Sequence, residues 1–76
     1  MNKADKKELN EALDKVFDAH TVIESLAEAY REQFDELDEK AQEGERGQKL
    51  DEAASDLESL VETLGEALRT GEALEN

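Results

Sequence analysis

The sequence predicts an all-α protein, a two-helix antiparallel hairpin with a long first helix and a shorter second helix, dimerising into a four-helix bundle. Three features carry that expectation. Apolar residues recur at spacings of three and four through two long stretches, which puts them on one stripe of an α-helix. There is no Pro, and two of the four Gly stand close together between those stretches. With 76 residues and no Cys to staple them, the chain is near the size at which a single core barely offsets the entropy of folding, so assembly is expected to help.

Leu9, Leu13, Val16, His20, Ile23, Ala27, Tyr30, Phe34, Leu37 and Ala41 follow one another four and three apart without a break. That heptad seam predicts one helix over 4–41, widened by Ala12, Phe17, Ala19 and Leu26 on its flanks. Val22 falls outside the stripe and reads as a scattered exposed residue or as part of a second contact. The turn is 42–46, with Gly44 as the helix break or N-cap and Gly47 letting the chain approach itself closely at the bend. A second stripe of three per heptad, Leu50, Ala53, Ala54, Leu57, Leu60, Val61, Leu64, Ala67 and Leu68, predicts a helix over 47–70. Gly71 reads as its left-handed C-cap, leaving a short tail over 71–76. Gly65 reads as lying on the outer side, where it costs about 1 kcal/mol relative to Ala. All 76 residues belong to one domain.

At 1.5 Å per residue the first helix would be about 57 Å long and the second about 38 Å. The second then covers the first only as far as Val16 or Phe17. Leu9, Leu13 and Val16 are left without an intramolecular partner, each forgoing roughly 1.5–3 kcal/mol. A homodimer through Leu9, Leu13, Val16, Phe17 and His20 would cover them. The alternatives are a fold-back of the Leu74 tail, a bend near Thr21 and Val22, or a different partner at that end. His20, the one polar seam residue, would fix register, and two such residues facing each other would make assembly sensitive to acid.

The formal net charge is −13, from 22 acidic and 9 basic residues. It is uneven: between Glu24 and Glu66 fifteen carboxylates stand against four cations. Glu24, Glu28, Glu32, Asp35, Glu36, Glu39 and Glu43, with Glu58 and Glu62 on the second helix, recur three and four apart, away from the apolar seam. Like charges at that spacing cost helix stability. Two readings stay open, a solvated face that confers solubility and a face that binds a basic protein surface. Over a rod of about 38 Å the charge amounts to one net charge per roughly 3.5 Å, about half the axial density of duplex DNA, so any imitation of a phosphate backbone is partial. Such a balance disfavours direct binding of nucleic acid or of an anionic membrane. Met1 to Lys7 is charged, and no apolar run has the length of a membrane span, which leads us to expect a soluble, cytoplasmic protein.

Catalytic chemistry has few residues to draw on. His20 is the only His, and no Gly-rich loop joins a strand to a helix. His20 and Glu24 stand i and i+4, but Phe17 occupies the position where a Glu-x-x-His pair would need its Glu, and no third inward ligand follows. The expectation is therefore no enzyme, no metal and no cofactor.

The segment Gln42 to Leu50 (QEGERGQKL), preceded by Tyr30 to Leu37 (YREQFDEL) and followed by an acidic Leu/Ala helix, resembles small acidic helical-hairpin proteins of phages and prophages. In those proteins a Ser often stands where Gly44 does here. The resemblance covers most of the chain and implies the hairpin fold, with nothing catalytic to carry over. In charge and size the chain is also similar to anti-CRISPR and anti-restriction inhibitors, which implies an inhibitor acting in the host cytoplasm and covering a basic surface of a nucleic-acid-binding protein. The alternative is a self-assembling phage accessory or structural protein acting through its apolar helix end.

Overall fold

The computed structural model describes residues 1–75. Helix α1 (Lys3–Asp35) begins where Asn2 adopts an extended backbone and its side-chain oxygen accepts the Asp5 N–H at 2.7 Å. Asn suits that position because a helix start leaves its first N–H groups without partners. The helix passes unbroken through Thr21 and Val22, where the Thr21 hydroxyl donates to the Phe17 carbonyl at 3.1 Å.

The seam predicts a helix continuing to Ala41, and the structure ends it at Asp35. Asp35, Glu36, Asp38 and Glu39 crowd carboxylates where the helix dipole is itself negative. Asp38 offers an alternative: its backbone is extended, and its Oδ1 accepts the Ala41 N–H at 2.8 Å, starting the short helix α2 (Glu39–Glu43). The Leu37 N–H tightens the last turn of α1 onto the Phe34 carbonyl at 3.1 Å, and the Gln42 side-chain amide donates to the same oxygen at 3.1 Å. Gly44 is the single residue between α2 and helix α3 (Glu45–Glu75). It is extended, at φ −78° and ψ 180°, and its carbonyl accepts the Gln48 N–H at 3.0 Å, so it serves as the N-cap of α3.

Helix α3 is also longer than the predicted 47–70, because Gly71 does not stop it. Among the described residues no Gly has a positive φ. Instead the bare backbone of Gly71 is buried beneath Leu13, whose Cδ atoms would lie 2.5 and 2.6 Å from a Cβ built there. Packing Leu13 into that notch outweighs the roughly 1 kcal/mol by which Gly disfavours a helix interior.

With 33 residues in α1 and 31 in α3, the two long helices match in length. They run antiparallel, Leu13 lying at Gly71, His20 at Gly65, and Arg31 reaching Asp51 and Glu58. Leu9, Leu13, Val16 and His20 are thus half-buried in the seam of their own chain, and the length mismatch that would have handed them to a second copy does not exist. The all-α hairpin is a rod of 57 × 15 × 14 Å. Two helices make only one line of contact, so the apolar residues buried outright are Ala27 and Ala54, and among the described residues no large side chain is fully enclosed.

Gly47 and Gly65 make opposite demands. A Cβ on buried Gly47 would come within 2.5 Å of the Ala41 carbonyl oxygen, backbone of α2 that cannot swing aside, whereas a Cβ on Gly65 would meet nothing nearer than Arg69 and His20 side-chain nitrogens at 3.8 Å. Gly47→Ala is expected to lose about 1–3 kcal/mol despite the better helix propensity of Ala. Gly65→Ala is expected to gain about 1 kcal/mol. Thermal melts followed by circular dichroism should move in opposite directions for the two variants.

Candidate functional site

On one flank of α1, Glu24, Glu28, Arg31, Glu32 and Asp35 follow each other at helical spacing, beside the seam residue Ala27. The facing flank of α3 brings Glu58, Val61 and Glu62 alongside, and together they line an open groove of about 460 Å³. Buried Ala27 and half-buried Val61 form its floor. Six carboxylates surround it, and Arg31 is the one cation in its lining.

Arg31 holds the two helices together across this groove. Its Nη1 donates to Asp51 Oδ1 at 2.8 Å, its Nη2 to Glu58 Oε1 at 3.0 Å, and its Nε to Glu58 Oε2 at 3.4 Å. The guanidinium sits 5.6 Å from the centre of the Phe34 ring. A planar fork meeting a carboxylate through two nitrogens is the strong form of such a pair. The hydrogen bonds Arg31 donates to Glu58, and then to Asp51, hold its pKa above the ordinary arginine value, so the guanidinium stays charged at any working pH. Among the described residues the remaining ion pair is Lys49 with Glu45, so Glu24, Glu28, Glu32, Asp35 and Glu62 have no cation of their own.

Six of the nine acidic residues singled out from the sequence therefore gather at one place: Glu24, Glu28, Glu32, Asp35, Glu58 and Glu62. Glu36 follows the end of α1, while Glu39 and Glu43 ride on α2; these three do not line the groove. Phe17 stands seven residues before Glu24 and so continues the same flank, 58 % exposed, beside Asn10, Asp14 and Glu72 near the open end of the hairpin. His20 faces Gly65, with Glu62, Glu66 and Arg69 around a shallow depression. Gly65 is thus on the inter-helix side rather than the outer one. Sequence reasoning overlooked Arg31 and Asp51; the available signal was that Arg31 is the only basic residue between Lys15 and Lys40.

Chemically, such an arrangement suits guanidinium or ammonium heads at its carboxylate rim, whose aliphatic stems could lie on Ala27 and Val61. Among the described residues, no group of three or more His, Asp or Glu is placed to hold a metal ion, and no helix is long and apolar enough to cross a membrane. The chain matches no protein-family model, and no curated protein or solved structure matches it significantly.

Replacing Arg31 by Gln is expected to lower the melting temperature, since Asp51 and Glu58 would then repel each other and the surrounding acid without compensation. Arg31→Lys should restore only part of the loss, because an ammonium cannot span both carboxylates with a planar fork. Melts at low and high salt test this: added salt should narrow the gap between Arg31→Gln and the parent chain.

Proposed function

We infer that this chain is a non-enzymatic binding protein whose acidic groove covers a basic surface of another macromolecule, the surface of a nucleic-acid-binding protein. One observation supports that reading above the others. Residues from two helices converge on a concave site with five carboxylates that lack a cation, over an apolar floor. Carboxylates serving solubility alone have no reason to crowd around a groove, where their mutual repulsion is greatest. A basic partner would relieve that repulsion and release its own counterions on docking.

The imitation of nucleic acid is partial. Thirteen net negative charges along a 57 Å rod amount to one per about 4.4 Å, against one per about 1.7 Å in duplex DNA. Affinity must then come from the groove's shape and floor as well as its charge, and Phe17, exposed on the same flank, provides an aromatic anchor beside the carboxylates. Together with the likeness to small acidic phage proteins, this supports an inhibitor of the anti-CRISPR or anti-restriction kind, working in the host cytoplasm and needing no cofactor.

The test is capture of a nucleic-acid-binding protein from host lysate on the immobilised chain. Binding is expected to be lost at high salt and reversed by added DNA or RNA. Changing Glu28, Glu32 and Glu62 together to Gln should weaken it by about tenfold or more, equivalent to about 1.4 kcal/mol, while Glu39→Gln and Glu43→Gln should leave it nearly unchanged. Retention that ignores salt, or that is insensitive to the groove variants, would overturn the reading.

A further inference from the structure

The flank opposite the groove has a different character. Tyr30 shares a depression there with Arg46, Leu50 and the ion pair of Lys49 with Glu45. Stepping back from Tyr30 by four and then by sevens gives Leu26, Ala19 and Ala12 on α1; stepping on from Lys49 by four and then by sevens gives Ala53, Leu60, Ala67 and Leu74 on α3. Helices in contact keep a seven-residue repeat on one side, so both series lie on the side turned away from the acidic groove. Leu26, Leu60 and Leu74 are 44, 48 and 55 % exposed, and Val22 at the edge of the same side is 60 % exposed.

We propose that this apolar side is the interface between two copies of the chain, which pack back to back as a four-helix bundle. Four observations select a second copy. Among the described residues the hairpin alone fully encloses no large side chain, and a single layer of two helices gains a second layer from a second copy, which is always at hand. The side presents two parallel ridges, one on each helix, each mixing small and large residues; a two-fold-related copy presents the same two ridges for interlocking. A side of 57 by 15 Å is close to the about 800 Å² that each partner buries in a standard interface. Finally, this side carries Arg46, with Lys49 paired to Glu45 at its edge, and lacks the carboxylate row of the groove, so two chains each of charge −13 meet here with the least repulsion.

In this dimer the two acidic grooves face outward on opposite sides, making the assembly bivalent. Two chains overlapping along one rod would carry one net charge per about 2.2 Å, near the one per about 1.7 Å of duplex DNA. The interface differs from one built on Leu9, Leu13, Val16 and His20, which the hairpin already uses internally, and its existence does not depend on what fills the groove.

Sedimentation equilibrium on the full chain is expected to return the mass of two chains, with a melting temperature that rises with protein concentration. Leu26→Glu combined with Leu60→Glu should abolish the dimer, while Glu28→Gln with Glu62→Gln should keep it. Should the Leu variant lose its helicity, single-Cys variants of this Cys-free chain decide the matter. Alkylation of Ala67→Cys should slow by about tenfold or more as concentration rises and the dimer fills, whereas Glu62→Cys should react at a constant rate. A helical monomer with concentration-independent melting, or a dimer that protects Glu62→Cys and leaves Ala67→Cys reactive, would overturn the proposal.

Discussion

How closely α1 and α3 approach is decided by small residues, and much of the molecule follows from that approach. Ala27, Ala54 and Gly71 are buried where the two long helices meet, and Gly47 is buried where α2 crosses the start of α3. At Gly71 and Gly47 the neighbouring atoms occupy the place of a side chain. Close backbones leave little volume between them, so Leu, Ile and Val of the seam lie half inside and half out. The interior is thin, and the flanks of the seam carry much of the side-chain surface.

The two flanks divide the chemistry. On one, carboxylates from both helices meet across the seam, and Arg31 ties them together at Asp51 and Glu58. That clamp is partly exposed and screened by solvent, so it reinforces the register that the seam sets rather than holding most of the stability. On the other flank, leucines alternate with alanines and two cations stand near the bend. A rod with charge gathered on one side and apolar surface on the other can associate through the second without covering the first. Binding at the acidic groove and association through the apolar side would therefore be compatible in one molecule, whereas the sequence alone sets inhibitor and self-assembling protein against each other.

Heptad spacing made most of the fold legible. The stripes through Leu9 to Phe34 and Leu50 to Leu68 correctly placed two long helices, and Gly44 and Gly47 marked the bend. The ends were read less well. Leu37 and Ala41 continue the spacing although the helix stops at Asp35, since periodicity records which residues face inward and is blind to the local cap that Asp38 supplies. In the sequence Gly71 reads as a stop because Gly often ends helices; in the fold it is a packing notch for Leu13, a use visible only when the facing helix is in place.

By itself, the sequence determined the all-α class, the two long helices, the position of the bend and the excess of acid, because each of these depends on residues near one another along the chain. The tertiary structure alone decided that α3 reaches the far end of α1, that Glu24 to Asp35 share a groove with Glu58 and Glu62, and that Arg31 bridges to Asp51. Those outcomes depend on the register between helices, which is settled by how Leu13, Ala27 and Ala54 seat against their opposite numbers. A one-turn slip would preserve every apolar spacing in the sequence while moving each carboxylate and each exposed leucine to a different neighbour.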